Sequence, residues 1–338
     1  MKLLQNYSLK NLNTFGVDVS SKYFAEIFSD SELIDLFKDK LFKSHRKIIL
    51  GGGSNILFTK DFNGIIIKTS ISGINIVEES EKAVIIESSA GTIWDDLVAY
   101  CVENNFGGIE NLTSIPGSVG AAPIQNIGAY GQELADTFLL LQGFLIENGE
   151  KKTFRKDECK FSYRTSIFNE ELKNKCIITS IRLKLSKGTK ANTKYKSLGD
   201  YFLKKEITNP TIKDVRKAVA EIRRSRLPDP KVIGNAGSFF KNPEISYKTF
   251  NNLKSEFPDI VNFPVGKENV KIAAGWLIEK CGWKGKRIGN VGTSPDHALV
   301  ICNFGNATGN EILEFAMRMK KEVTKKFGIT LQEEVNIL

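Results

Sequence analysis

Short β-branched runs and helical stretches follow one another along this chain in no regular alternation, and that irregular order limits the fold more than any other feature. KIIL (Lys47 to Leu50), GIIIKT (Gly64 to Thr69), AVIIES (Ala83 to Ser88) and CIITSIRLKL (Cys176 to Leu185) are bounded by turn residues and read as strands. Helix starts are signalled by Thr92 before IWDDLVAYCVENN, by Thr211 before IKDVRKAVAEIRR, and by Thr308 and Glu311 in capping-box spacing before ILEFAMRMKKEV. A doubly wound parallel sheet would need strand and helix to alternate strictly, so the expectation is an α+β architecture of several subdomains. In RLPDPK (Arg226 to Lys231) the prolines cannot continue the preceding helix, and a domain boundary is expected there.

At 338 residues the chain has room for two domains on a prior of roughly 150 residues each. No apolar run reaches the roughly 18 residues of a membrane span, and MKLLQNYSLKNLNTF turns polar too early for a secretory signal. A cytoplasmic protein without a membrane partner is expected. Cys101, Cys159, Cys176, Cys281 and Cys302 are scattered and form no CxxC pair, which argues for reduced, mostly buried thiols and against a zinc site or disulfide framework. With only His45 and His297 in the chain, most imidazole chemistry drops out, and no metal is expected. The net charge of +9 points to anionic partners. No nucleic-acid module accompanies it, so small phosphorylated molecules are expected instead of nucleic acid.

Directly after KIIL comes GGGSNIL, where Gly51, Gly52 and Gly53 allow a sharp turn with exposed N–H groups and Ser54 and Asn55 add donors, a nest suited to phosphate. It is neither a Walker loop nor a GxGxxG fingerprint. By itself it is equally a tight turn that needs glycine. IPGSVGAAPIQNIGAYG (Ile115 to Gly131) adds four more glycines and the amides of Gln125 and Asn126. Two such loops can clasp a diphosphate, because backbone approaches a flat ring or pyrophosphate closely only where no Cβ intervenes.

GNAGSFFKNP (Gly234 to Pro243) sets Ser238 among glycines, phenylalanines, a lysine and an asparagine. Nucleophile, phosphate ligand and proton donor are all open for it, although the peptide is not a GxSxG elbow and lacks an evident base.

These motifs, with NTFG (Asn13 to Gly16), YRTSIF (Tyr163 to Phe168), LPDPK, AAGWLIEKCGWKG (Ala273 to Gly285) and LQEEV (Leu331 to Val335), make the chain similar, nearly end to end, to the UDP-N-acetylenolpyruvoylglucosamine reductases of bacterial cell-wall synthesis. The resemblance implies a FAD-binding unit of the vanillyl-alcohol oxidase (PCMH) type in two subdomains plus a C-terminal α/β substrate domain. The implied boundaries are 1–73 with 329–338, then 74–227 with a substrate-covering insertion, then 228–328. It also implies a monomer that passes hydride from NADPH through non-covalent FAD to UDP-N-acetylglucosamine enolpyruvate, giving UDP-N-acetylmuramate for peptidoglycan.

By the same resemblance, Gly51, Gly52, Gly53, Ser54, Asn55 and Ile56 contact FAD. So do Ile115, Pro116, Gly117, Ser118, Gly120 and Ala121, followed by Gln125, Asn126, Gly128, Ala129 and Tyr130. Arg164 and Glu334 face the enolpyruvyl carboxylate, where negative charge develops. Glu334 is expected to hold its proton more tightly than usual in an enclosed site. Ser238 becomes the proton donor, for which geometry counts more than resting acidity. Tyr163, Arg226, Lys241, Asn242, Lys284 and His297 are implied substrate contacts, the cations serving the diphosphate.

The chain departs from the family in three places. KYKSLGDYF has Leu198 where a substrate-covering tyrosine is usual, so either Tyr195 or Tyr201 takes over or that contact is lost. His297 stands where glutamine is common, and Asn336 where an arginine follows the catalytic glutamate. A different flavin oxidase on the same scaffold would leave GNAGSFFKNP and LQEEV without a role, and a basic nucleic-acid binder would carry no chromophore.

Overall fold

A computed structural model of the protein describes residues 3–188 and 190–338. The described chain divides into two compact units. One takes in the residues up to Tyr7, Ser21–Gly52 and Asn63–Arg223, and the other Ser8–Ser20, Gly53–Phe62 and Arg224–Leu338. Strand and helix are mixed in both, as the α+β expectation requires.

In the first unit, one sheet runs in the order Leu4–Ser8, Ser20–Ile27, Phe62–Thr69, Lys47–Leu50. The last two strands are parallel, with Ile48 opposite Ile66. Ile65 and Ile67 pack with Ala25, Ile27, Leu33, Leu36 and Phe42, so this strand's alternate side chains meet the apolar face of the helix Asp30–Lys38. A second, antiparallel sheet follows the order Lys151–Arg155, Phe138–Leu145, Cys176–Lys187, Ala83–Ser89, Ile74–Glu79. The helix Trp94–Glu103 buries Trp94, Leu97, Val98, Cys101 and Val102 in the same core as Ile86, Leu141 and Ile181 of that sheet.

Thr92 does not cap this helix. Ile93 precedes it without a side-chain cap, and the Thr92 hydroxyl turns to Gly73, whose carbonyl and N–H lie 3.3 and 3.2 Å away. The first turn is instead tied down by a bond from the Trp94 N–H to the Gly117 carbonyl, 3.0 Å. A tertiary contact has displaced the local one. Thr211 does cap its helix, Ile212–Arg224: its Oγ1 accepts from the Asp214 N–H at 3.2 Å while Asp214 Oδ2 accepts from the Thr211 N–H at 2.9 Å. The helix buries Val215, Ala218, Val219 and Ile222 against Leu198 and Phe202 of the helix Lys196–Lys204.

The second unit holds a sheet ordered Gly234–Ser238, Val300–Asn303, Val291–Thr293, Arg287–Ile288, and a smaller one ordered Glu244–Ser246, Asn269–Ile272, Asn262–Val265. Its long helix Gly309–Phe327 opens on the expected Thr308/Glu311 capping box and closes on Gly328 at φ 67°. Phe315 meets the buried Trp283 ring edge-on, centroids 5.0 Å apart, and Trp283 Nε1 donates to Glu322 at 2.7 Å. The tail strand Asn336–Ile337 pairs in parallel with Ile56–Leu57, so the last residues return to the segment after the triple glycine. All five cysteines are unpaired, and four are buried. Among the described residues no helix is long and apolar enough to cross a membrane.

Candidate functional site

The candidate residues fall in both units, and each group is organised within its own. In the first unit, the two glycine loops meet backbone to backbone. A Cβ on Gly52 would lie 2.7 Å from the Gly117 Cα, and one on Gly51 would lie 2.8 Å from Ser118 Oγ and 2.9 Å from the Ala121 Cβ. A side chain is excluded at Gly52 by main chain and at Gly51 by the packed Ser118 and Ala121 side chains, which is why glycine is required. The Ser118 hydroxyl is buried and has no hydrogen-bond partner in the protein. A buried hydroxyl beside a cradle of bare backbone fits a polar, phosphate-bearing group, since a buried donor left unmade is costly.

Asn126 is tied into its own loop. It is 1% exposed, its amide donates to Glu133 Oε2 (2.7 Å) and the Ser162 carbonyl (3.2 Å), and its Oδ1 accepts from the Ala135 N–H (3.0 Å). The side chain holds the loop in shape, and its φ of 44° turns the chain at the end of the turn Val119–Gln125.

Arg164 occupies a two-residue hairpin in which Ser162 and Thr165 exchange backbone bonds of 3.1 and 3.2 Å. Its φ of 55° costs a non-glycine residue about 1 kcal/mol or more. Asn169 steadies the turn by donating to the Arg164 carbonyl at 3.2 Å. The guanidinium donates to the Gly128 carbonyl at 2.8 Å and lies 5.5 Å from the Tyr163 ring centroid, so Tyr163, Arg164 and Gly128 are neighbours.

Arg223 is not among the contacts the resemblance implies, which include Arg226 three residues on. Arg226 is exposed, whereas Arg223 is half-buried on the last turn of its helix. Burial pushes its guanidinium below the ordinary arginine range, Tyr130 and Asp95 draw it back, and nearby Arg164 depresses it further. Two guanidiniums in one neighbourhood form an anion-seeking field. Only the amphipathic period of the helix could have hinted at it, by turning residues 215, 219, 222 and 223 toward one side.

In the second unit, Ser238 and Glu334 are joined through one residue of backbone: the Glu334 N–H donates to the Phe239 carbonyl at 2.8 Å, and Phe240 bridges Glu333. The Lys241 N–H donates to the Gln332 carbonyl at 2.8 Å. The LQEEV tail therefore lies antiparallel along GSFFK, joined to it by an isolated bridge. Asn55, expected at the cofactor, ties this arrangement together: its amide donates to the Glu334 carbonyl (3.1 Å), and its own carbonyl accepts from the backbone and side-chain amides of Asn336 (3.1 and 3.2 Å). Asn336 thus serves the tail. Lys320 holds Glu333 at 2.7 Å.

Among the expected substrate contacts, Asn242 accepts from the Ala274 N–H at 2.9 Å and so starts the helix Ala274–Lys280. Lys284 is paired with Glu279 at 3.1 Å. His297 is half-buried in the turn before Val300–Asn303, its carbonyl accepting from the Val300 N–H at 3.0 Å.

Residues 229–338 match the profile of the UDP-N-acetylenolpyruvoylglucosamine reductase C-terminal domain, and residues 22–153 that of an FAD binding domain. A UDP-N-acetylenolpyruvoylglucosamine reductase from Flavobacterium johnsoniae is 46% identical over 339 residues, covering 100% of both chains. One from Pseudomonas aeruginosa is 38% identical over 337 residues, covering 100% of this chain and 99% of its own. The crystal structure of the reductase from Thermus caldophilus superposes with a TM-score of 0.69 at 23% identity, covering 100% of this chain and 99% of that one, a likeness of fold.

Proposed function

The chain belongs to the UDP-N-acetylenolpyruvoylglucosamine reductase family, and from that premise we infer that it is an FAD-dependent reductase of the enolpyruvyl group of UDP-N-acetylglucosamine enolpyruvate, acting in peptidoglycan synthesis. The observation that carries this reading is the likeness to reductases of that name over the full length of the chain. We propose NADPH as the hydride donor, a monomeric enzyme and a cytoplasmic location.

FAD, when bound, supplies a hydride acceptor and donor. Gly51, Gly52, Gly117 and Ser118 would hold it, the bare backbone admitting the cofactor and the Ser118 hydroxyl gaining the partner it lacks. Hydride adds to the methylene carbon of the substrate, and the electron pair of the double bond moves toward the adjacent carbon and its carboxylate. Arg164 supplies positive charge where that negative charge develops, and its guanidinium is already oriented by the Gly128 carbonyl. Glu334, as the neutral acid, donates a hydrogen bond to the same carboxylate. Ser238 Oγ–H then gives its proton to the carbon beside the carboxylate, and the resulting alkoxide is reprotonated from water. Arg226, Lys241 and Lys284 attract the diphosphate. Tyr163, Asn242 and His297 complete the nucleotide contacts.

The test is direct. Purified protein should be yellow, release FAD on denaturation, and oxidise NADPH only when the enolpyruvyl nucleotide is added. Yellow protein indifferent to the nucleotide would identify another flavoenzyme, and colourless protein that binds nucleic acid in a salt-dependent way would defeat the reading.

A further inference from the structure

We propose that Asn235 is a positioning residue for Ser238, acting through the peptide of Gly237; the inference rests on Ser238 being the proton donor. The strand Gly234–Ser238 is not regular. Asn235 lies opposite Cys302 and Ser238 opposite Val300, so three steps on one strand match two on the other. One extra residue is accommodated between them, a β-bulge. Side chains alternate with period two, so without the extra residue the hydroxyl at 238 would turn to the opposite face.

Asn235 fixes this bulge. Its side-chain oxygen accepts from the Gly237 N–H at 3.0 Å, the group next to Ser238. Its amide donates to the Pro228 carbonyl at 3.1 Å and the Ile233 carbonyl at 2.9 Å. Its backbone N–H donates to the Thr14 carbonyl at 3.0 Å. The residue is 4% exposed, and of the two carbonyls it satisfies that of Pro228 belongs to the proline turn, so that turn and the bulge are tied to each other. Gly237 stands at φ 69° with nothing within 4 Å of a notional Cβ. Its glycine is required by conformation alone. Asparagine suits position 235 because a carboxamide both donates twice and accepts; aspartate would lose both donors, and serine cannot reach.

The experiment compares Asn235→Ser, Gly237→Ala and Ser238→Ala in the flavin-loaded enzyme, with turnover of the enolpyruvyl nucleotide measured beside flavin reduction by NADPH. If a small displacement of the hydroxyl is the cause, Asn235→Ser should lower kcat by about 10- to 100-fold, with KM within about twofold. Flavin reduction should continue, and the solvent isotope effect on kcat should rise. Adding Asn235→Ser to Ser238→Ala should cost less than about twofold more, since the two changes act on one group.

Gly237→Ala disturbs the same peptide without emptying the interior. It should reproduce the kcat loss, and it decides the matter if Asn235→Ser fails to fold. Full kcat in Asn235→Ser or Gly237→Ala, or an undiminished effect of Asn235→Ser on the Ser238→Ala background, would overturn the positioning role. A Ser238→Ala enzyme with normal turnover would instead remove the proton-donor reading beneath it.

Discussion

The Tyr195 ring stands edge-on to Tyr130, their centroids 5.5 Å apart with an interplanar angle of 79°. Tyr201, by contrast, spends its phenol on Glu221, to which it donates at 2.7 Å, and that carboxylate pushes the phenol up from its ordinary pKa. Tyr195 is 40% exposed, while Leu198 is fully buried between two helices. We propose that Tyr195, which adjoins the glycine loop of Tyr130 and Gly131, takes the role of the substrate-covering tyrosine. Tyr195→Ala is expected to raise KM for the nucleotide about tenfold, the loss of one aromatic contact. Tyr201→Phe should leave KM within about twofold and remove only the stability of one hydrogen bond. Steady-state kinetics of the two variants separate these outcomes.

Gly52→Ala should yield folded protein that binds FAD poorly. The added methyl would sit 2.7 Å from the Gly117 Cα, and main chain cannot rotate away as a side chain can, so the loops must part at a cost of about 1–3 kcal/mol. The flavin-to-protein absorbance ratio after purification reads the effect directly.

Arg164→Met should slow reoxidation of the reduced flavin by the enolpyruvyl nucleotide about 10²- to 10³-fold, the usual consequence of removing one group that meets developing charge. Reduction by NADPH should be affected far less. Stopped-flow absorbance of the two half-reactions would refute the assignment if both slowed alike.

Glu26 contributes acid-dependent stability. Burial raises its carboxyl pKa, but hydrogen bonds from Lys68 and Ser70 and the Lys68 charge together outweigh that and hold it below the ordinary 4.5. Lys68 Nζ and Ser70 Oγ lie 2.7 and 2.6 Å away. A depressed folded pKa means the stabilisation is complete above the ordinary value and disappears as pH falls through the folded one. Glu26→Gln should cost about 1 kcal/mol or less at pH 7 and nothing once both forms are fully protonated in acid. Thermal melts from pH 7 to pH 3 would show the two curves converging.

Thiol labelling follows burial. The thiols of Cys101, Cys159 and Cys176 are pushed up to about 12 and that of Cys302 to about 11, chiefly by burial. Cys281 is only half-buried. At pH 8 a thiol reagent should modify Cys281 first and the other four only on unfolding. Rapid modification of Cys101 in the native protein would contradict the packing around it.

The backbone plan was legible in the sequence wherever the signal was local. The four β-branched runs are strands, Thr211 and Thr308 cap their helices, and the glycine loops lie together because each contains the residues a close approach needs. The ordered motifs carried the family without help from geometry, since they encode backbone conformation and charge at fixed positions.

Tertiary structure alone decided which partner each polar side chain takes. Thr92 turned from its helix to Gly73, Asn55 reached the Glu334 carbonyl, and Asn126 reached Glu133. Arg223 was drawn in near Arg164, and Asn235 pinned the bulge beneath Ser238. Propensity and periodicity act over a few residues. A buried donor or acceptor must be satisfied by whatever the packed chain places within about 3 Å, often from a segment hundreds of residues away, so that choice exists only once the chain has folded.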